Sequence, residues 1–257
     1  MRVIELENIT TGYGGEPVLR GISLALPNGS ITAILGPNGC GKSTLLKTAA
    51  GLLRPHAGQV CIDGAALGSY KPKQLAQRVA YLPQSRPVPD IAVGQLVLHG
   101  RFPYLSYPRR PGSADREIAQ RAMRSVGIDA LSDRLLSTLS GGERQKAYIA
   151  MALAQDTPHV LLDEPTTYLD IDRQLEVLHL CAQMRDAGKA VVMVLHDLSL
   201  AFRFADRVAL MQDGAPVFTG TPSELAQSGA LETVFHVRAH PISLPDGSFH
   251  YVFLESR

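Results

Sequence analysis

The chain has 257 residues, of which 45% are hydrophobic, so it can form one large domain, or a domain with an inserted subdomain, around a substantial core. Its 25 basic and 24 acidic residues give a formal charge of +1. This balance argues against a strong electrostatic footprint for nucleic acid or an anionic membrane, although it leaves room for a local basic patch.

Cysteine content and hydropathy limit the compartments in which the chain is expected. Three scattered cysteines, Cys40, Cys61 and Cys181, suit neither a disulfide framework nor a zinc site, so we expect a reducing cytosol. Residues 1–9 alternate like a strand and lack the features of a signal peptide. No stretch approaches the roughly 20 apolar residues that span a bilayer, so we expect membrane association only through a partner.

The chain begins with a β-rich segment. Residues 2–26 read as two or three strands interrupted by a turn at residues 12–15. Tyr13 lies in that turn, where its ring is able either to lie flat against an adenine or to pack on its own sheet.

A glycine-rich loop separates a predicted strand at residues 31–35 from a predicted helix at residues 45–50. The loop fits the pattern G-x-x-x-x-G-K-[ST], in which backbone N–H groups and a helix N-terminus surround a phosphate chain. Lys42 is predicted to reach the β- and γ-phosphates, and Ser43 to bind Mg²⁺. The candidate nucleotide-binding residues here are Gly36, Pro37, Asn38, Gly39, Cys40, Gly41, Lys42, Ser43 and Thr44.

Polar residues follow three further predicted strands, at residues 79–82, 160–162 and 190–195. Ligands of open α/β sheets bind beyond the carboxyl ends of the strands, so these residues are candidates for the same site. Gln84 is predicted to meet the metal or an attacking water. Asp163 is placed to hold Mg²⁺ through water opposite Ser43, and Glu164 to orient or deprotonate a water. His196 is predicted to contact the γ-phosphate. Each residue taken alone also fits an ordinary strand end or turn.

Residues 85–158 differ in character and suggest an inserted helical subdomain, with helices near residues 93–99 and 113–126. A proline- and arginine-rich connection at residues 101–111 reads as a solvated loop or a docking edge. Ser140 is a predicted N-cap, and Gly141 and Gly142 leave N–H groups free for a second anion site, although the tripeptide taken alone favours an ordinary capped helix.

Taken in order, Tyr13, the phosphate loop, Gln84, the sequence Leu-Ser-Gly-Gly-Glu-Arg-Gln at residues 139–145, residues 160–164, Asp170 and His196 resemble the nucleotide-binding subunit of ABC transporters. The resemblance spans most of the chain, and the residue 139–145 signature is its most specific element. It implies an α/β fold with a P-loop NTPase (RecA-like) core at residues 1–84 and 159–236, an antiparallel β subdomain, the helical insertion, and a C-terminal tail at residues 237–257.

The resemblance also implies a mechanism. Such subunits are ATPases that use Mg²⁺ and work as head-to-tail homodimers. Ser140 and Gly142 of one protomer, with Gly141 between them, would meet the ATP held by Lys42 of the other, and Asp170 would cross the dimer. Tyr13 would stack on adenine, Gln84 would sense the metal and the membrane partner, and Glu164 with His196 would ready the water. The expected partners are an integral membrane permease and, indirectly, a periplasmic or surface substrate-binding protein. The chain itself would lie at the cytoplasmic face of the bacterial inner membrane, attached through the permease.

A finer resemblance comes from the stretches at residues 98–103, 150–157 and 165–170, which look like those of ferric siderophore, haem and cobalamin importers. Other metal importers or exporters, a soluble ABC ATPase of translation or DNA repair, and a P-loop kinase or GTPase remain alternatives. We also expect the thiol of Cys40 to have a lowered pKa, because Lys42 and a helix N-terminus lie nearby, so that alkylation would inactivate the enzyme and MgATP would protect it. A small side chain that only fills the loop is the alternative.

Overall fold

The structure is a computed structural model that describes residues 3–86, 88–167, 169–244 and 249–256. Arg2, where the first strand is predicted to start, and Tyr168, within one of the motifs quoted above, lie outside the described residues. In chain order the strands are β1 (Val3–Tyr13), β2 (Glu16–Pro27), β3 (Ser30–Leu35), β4 (Ala57–Ile62), β5 (Ala65–Ala66), β6 (Val79–Leu82), β7 (His159–Leu162), β8 (Ala190–Val194), β9 (Arg207–Gln212), β10 (Ala215–Gly220), β11 (Val237–Ser243) and β12 (Phe249–Glu255).

Helices connect most of these strands. They are α1 (Lys42–Ala49), α2 (Pro72–Ala76), α3 (Val93–His99), α4 (Ser113–Ser125), α5 (Gly141–Gln155), α6 (Ile171–Asp186), α7 (Leu198–Phe204), α8 (Pro222–Gln227) and α9 (Ala230–Phe235). Helix α5 begins where the sequence predicts, because the Ser140 hydroxyl accepts a hydrogen bond from the Glu143 N–H and the Glu143 carboxylate accepts one from the Ser140 N–H.

The main sheet has the order β10-β9-β3-β8-β7-β6, and its strands are parallel except β10, which pairs antiparallel with β9. Strands β3, β7 and β8 are buried at every residue, as expected for parallel strands covered on both faces. The parallel arrangement brings the carboxyl ends of β3, β6, β7 and β8 to one edge, where the candidate site lies.

A second sheet, with the order β2-β1-β4-β5, is antiparallel throughout and forms the predicted β-rich start of the chain. Between β6 and β7, the described residues form α3, α4 and α5 and no strand element. The predicted fold class, an α/β core with an antiparallel β subdomain and an inserted helical subdomain, is therefore confirmed. The exact domain boundaries stay a prediction.

The C-terminal segment contains more structure than the short tail that the sequence suggests. Strands β11 and β12 pair antiparallel, from Val237 opposite Glu255 to Ser243 opposite Phe249. The ring of Phe202 on α7 meets the rings of Tyr251 and Phe253 edge to face, with centroids 4.9 and 5.0 Å apart. These aromatic contacts hold the hairpin against the core.

The contact of Phe202 with the hairpin predicts a specific loss of stability. Replacing Phe202 by alanine removes a buried ring and its two aromatic partners, so we expect the free energy of unfolding to fall by about 3–5 kcal/mol. Urea denaturation followed by circular dichroism measures this change. Phe249→Ala is the matched control, because that ring is 63% exposed and its loss should change stability by less than about 0.5 kcal/mol.

Candidate functional site

The loop between β3 and α1 has the backbone conformation of a phosphate cradle. Gly36, Gly39 and Gly41 all have positive φ angles, of 144°, 80° and 101°. A Cβ at Gly36 would lie 2.3 Å from the Met211 carbonyl oxygen, so no larger residue fits there. The glycines of the motif are therefore required by conformation and by space, and the loop wraps closely around the N-terminus of α1.

Lys42 crosses over this loop. Its Nζ donates hydrogen bonds to the carbonyl oxygens of Gly36 at 2.7 Å and Pro37 at 2.8 Å, and only 6% of the residue is exposed. Its charge is thus held at the mouth of the cradle by the loop that forms it, which suits an anionic ligand.

An open pocket of about 540 Å³ lies above the loop. It gathers residues from the ends of β3, β6, β7 and β8, as the parallel sheet requires. Its lining residues are Val18, Asn38, Gly39, Gly41, Lys42, Ser43, Thr44, Gln84, Glu164, Thr167 and His196. The structure therefore brings together most of the residues that the sequence assigns to phosphate binding and water activation.

A buried oxygen cluster lies beside the pocket. The Ser43 hydroxyl donates to Asp163 Oδ1 at 3.0 Å, and the Tyr81 hydroxyl donates to Asp163 Oδ2 at 3.2 Å. Burial raises the pKa of Asp163, and the two hydrogen bonds oppose the shift. Burial and the neighbouring carboxylate raise the pKa of Tyr81, which therefore remains a hydrogen-bond donor. Hydroxyl, amide and carboxylate oxygens from Ser43, Gln84 and Asp163 are ligands that suit Mg²⁺.

Glu164 is held by three side chains. Its Oε2 accepts hydrogen bonds from Gln84 Nε2 at 2.6 Å and from the Thr167 hydroxyl at 3.0 Å, and its Oε1 lies 2.7 Å from His196 Nε2. Glu164, whose φ is 52°, lines the pocket, whereas the preceding residue, Asp163, is buried. The structure thus joins Gln84, Glu164 and His196 in one hydrogen-bonded group, in contact with the pocket.

Sequence reasoning missed Tyr81, Thr167 and Val18. Tyr81 lies on β6, two residues before Pro83, and Thr167 lies three residues after Glu164. Both residues are therefore close in sequence to a predicted strand end, and this proximity is the local signal that could have found them. Val18, on β2, lines the pocket beside Gly41, where a Cβ would lie 3.3 Å from Val18 Cγ1. Contacts of this last kind are set by strand pairing far away in the sequence.

The remaining predicted residues lie outside this pocket. Ser140, Gly142 and Asp170 line a separate pocket of about 360 Å³, and Gly141 lines a groove of about 640 Å³ that also touches Gln84 and Glu164. Tyr13 ends β1 with 52% of its surface exposed and its ring centroid 5.9 Å from Lys47 Nζ. Within one chain, the signature residues therefore do not meet the phosphate loop.

The lowered pKa expected for Cys40 is wrong, and the alternative of a loop filler fits the structure. Its thiol is 6% exposed and packs beneath Gly36, where a Cβ would lie 2.7 Å from the sulfur. Burial raises the pKa of Cys40 and outweighs the opposing effect of Lys42. The thiol is therefore a buried filler of the loop and is poorly suited to alkylation.

Two features are absent from the described part of the chain. No group of three or more His, Cys, Asp and Glu residues there is arranged to hold a metal ion. None of the helices formed by those residues combines the length and apolar character needed to cross a bilayer.

Residues 19–167 match the sequence family described as ABC transporter. The chain is 42% identical over 241 residues to the ferric enterobactin transport ATP-binding protein FepC of Escherichia coli (strain K12), covering 93% of the chain and 89% of FepC. It is 39% identical over 257 residues to the petrobactin import ATP-binding protein FpuD of Bacillus anthracis, covering 96% and 94%. It is 40% identical over 250 residues to the hemin import ATP-binding protein HmuV of Pseudomonas fluorescens (strain Pf0-1), covering 93% and 96%.

Solved structures agree with these relatives. An inward-facing ABC transporter assigned to the metal-chelate type superposes with a TM-score of 0.85 at 29% identity. The superposition covers 99% of the present chain and 98% of the transporter chain. The dimeric bacterial cassette MJ0796 superposes with a TM-score of 0.76 at 28% identity, covering 85% and 98%. The signature at residues 139–145, the phosphate loop and these full-length similarities together show that the chain belongs to the ABC transporter family.

Proposed function

We propose that this protein is the ATP-hydrolysing subunit of a membrane importer for ferric siderophores, haem or a related chelate such as cobalamin. The observation that carries the proposal is the single pocket around Lys42, where four parallel strand ends deliver a phosphate loop, Gln84, Glu164 and His196. The relatives named above are ATP-binding proteins of ferric enterobactin transport, petrobactin import and hemin import, which supports the class of cargo.

In this proposal the phosphate loop binds ATP. The N–H groups of the loop and the N-terminus of α1 surround the phosphates, and Lys42 turns from the loop carbonyls toward the β- and γ-phosphates. Tyr13 stacks on the adenine through its exposed ring. Binding therefore exchanges internal hydrogen bonds of Lys42 for charge-assisted bonds to the nucleotide.

Ser43, Asp163 and Gln84 would hold Mg²⁺, Asp163 through a water. When bound, the ion would neutralise charge on the β- and γ-phosphate oxygens. The buried carboxylate of Asp163 supports this assignment, because a carboxylate whose charge is disfavoured by burial gains most from a nearby cation.

Glu164 and His196 would orient and activate the attacking water. Glu164 is the candidate general base, because its carboxylate lies in the pocket and can accept a proton. His196 Nε2 and Gln84 Nε2 hold that carboxylate in place through its two oxygens. Both side chains would have to release part of their hydrogen bonding as the γ-phosphate and water enter, which couples the group to nucleotide binding.

The separate pocket that contains Ser140, Gly142 and Asp170 supports a head-to-tail homodimer. In such a dimer the signature of one protomer completes the nucleotide site of its partner, so hydrolysis depends on closure of the dimer. We propose an integral membrane permease as the direct partner at the cytoplasmic face, with a substrate-binding protein acting through the permease. We propose no nucleic-acid partner.

The role of Glu164 predicts a trapped dimer. Glu164→Gln keeps the size of the side chain but removes the base, so we expect ATP turnover to fall by about two to three orders of magnitude. We also expect an ATP-bound dimer in size-exclusion chromatography that the wild type shows only transiently. Glu117→Gln, an exposed site on α4, is the control. A Glu164→Gln chain that turns over ATP normally, or stays monomeric with ATP, contradicts the assignment.

The burial of Asp163 predicts a trade between stability and activity. Since its folded pKa is raised, the native state binds a proton more readily than the unfolded state, and stability falls as pH rises through the interval between the two pKa values. Asp163→Asn removes this loss.

In EDTA we therefore expect Asp163→Asn to melt a few degrees higher than the wild type near pH 7, about 2–4 °C for each kcal/mol, with the difference shrinking in acid. Mg²⁺-dependent ATP hydrolysis should be lost in the same variant. Asp133→Asn, at an exposed site, should melt like the wild type at every pH. Equal melting of Asp163→Asn and wild type at neutral pH would show that burial imposes no cost there.

The cargo is tested by uptake in a strain that lacks this chain. We expect the wild-type chain to restore uptake of labelled ferric siderophore, haem or cobalamin, and Glu164→Gln to restore none. If the wild type restores no cargo of these three, while ATP hydrolysis and the trapped dimer are present, the ATPase assignment stands and the cargo belongs to another ABC transporter class. A soluble role in translation or DNA repair predicts that loss of the chain changes the uptake of none of these cargoes.

A further inference from the structure

Residues 101–124 are far more basic than the chain as a whole. This segment has two carboxylates, Asp115 and Glu117, and a formal charge of +4, whereas the entire chain carries +1. Its arginines are Arg101, Arg109, Arg110, Arg116, Arg121 and Arg124. The near-neutral composition therefore conceals a basic patch on the helical subdomain.

Two of the six arginines lie in an exposed turn. Residues 106–110, which we call the arginine tip, are all exposed, and 97% of Tyr107 is accessible. The Arg110 N–H donates to the Pro108 carbonyl oxygen at 2.7 Å, which closes the turn. Within the part of the chain that the structure describes, neither Arg109 nor Arg110 forms an ion pair.

The base of the arginine tip is firmly attached. Lys73 Nζ on α2 donates to the Leu105 carbonyl oxygen at 2.8 Å, and Gln77 Nε2 donates to the Pro103 carbonyl oxygen at 2.7 Å. Leu105 itself is buried, and the Arg101 guanidinium lies 3.9 Å from the centroid of the Tyr104 ring. The tip is therefore presented by an ordered base, so little further ordering is needed when it meets a partner.

We propose that the arginine tip binds anionic lipid headgroups on the bilayer surface. Guanidinium groups pair with phosphates through several donors, and tyrosine rings are favoured at the depth of the headgroups. Arg109, Arg110 and Tyr107 supply both features within four residues. The proposal goes beyond ATP hydrolysis, and it relies on the proposed function only for placing the subunit beside a membrane.

The small size of the tip favours a lipid surface over a protein. A stable protein interface takes roughly 20–30 residues from each partner, more than an exposed turn of five residues offers. A bilayer needs no matching groove, because its headgroups rearrange around a small cationic projection. The contact would add to permease docking, and it changes the expectation that membrane association goes through a partner alone.

Vesicle binding by the full chain tests the proposal. We expect the chain to co-sediment with vesicles that contain phosphatidylglycerol and to bind pure phosphatidylcholine vesicles much more weakly. At low salt the Arg109→Gln/Arg110→Gln variant should lose about 25-fold in its partition coefficient, since each arginine near an anionic surface contributes about fivefold. Tyr107→Ser should lower binding at high salt as well, where the arginine contribution is screened.

The matched control is Arg121→Gln/Arg124→Gln, which removes the same charge from exposed positions on α4. We expect it to lose much less binding than the tip variant. Equal losses by the two pairs would overturn a role specific to the tip. Absence of any preference for phosphatidylglycerol would also overturn the proposal. If, in addition, the tip variant fails to co-purify with the permease, the tip binds protein instead of lipid.

ATP turnover of the same preparations separates this proposal from the preceding one. The arginine tip lies outside the nucleotide pocket, so the tip variant should hydrolyse ATP at the wild-type rate. Vesicle binding lost with hydrolysis intact supports the lipid contact. Vesicle binding retained by the tip variant refutes it without affecting the assignment as an ATPase.

Discussion

The buried carboxylate of Asp163 is the group on which the arrangement of the nucleotide pocket depends. Parallel strands bring it to the sheet edge under the N-terminus of α1, where water is excluded and its charge is costly. The hydroxyls of Ser43 and Tyr81 partly compensate that cost and join α1, β6 and β7 at one point. The same bonds fix the phosphate loop relative to β7, the strand that Glu164 follows.

A division between two surfaces follows from this arrangement. The phosphate loop and the Glu164 group share one pocket, whereas Ser140, Gly142 and Asp170 line another on the same chain. A capped 15-residue helix holds the signature rigidly at the start of α5. In the proposed dimer, neither surface is complete alone, and this dependence would couple ATP hydrolysis to movement of the helical subdomain.

Two outer parts of the molecule, the β11–β12 hairpin and the arginine tip, are attached to the rest of the chain by side-chain contacts. The aromatic contacts of Phe202 attach the β11–β12 hairpin to the helix that follows His196. On the helical subdomain, hydrogen bonds from Lys73 and Gln77 hold the base of the arginine tip. Both features depend on contacts between segments distant in sequence, and neither takes part in the nucleotide pocket.

The sequence alone determined the phosphate loop, the order of most strands and helices as far as β10, and Gln84, Asp163, Glu164 and His196 as strand-end candidates, because glycine conformation, capping and hydrophobic patterning are local. Only the tertiary structure decided that burial raises the pKa of Cys40, and that Tyr81 and Thr167 bind the two acids. The structure also shows a packed hairpin where the sequence suggested a short tail. These outcomes depend on which distant groups exclude water from a side chain, and local patterns do not encode that.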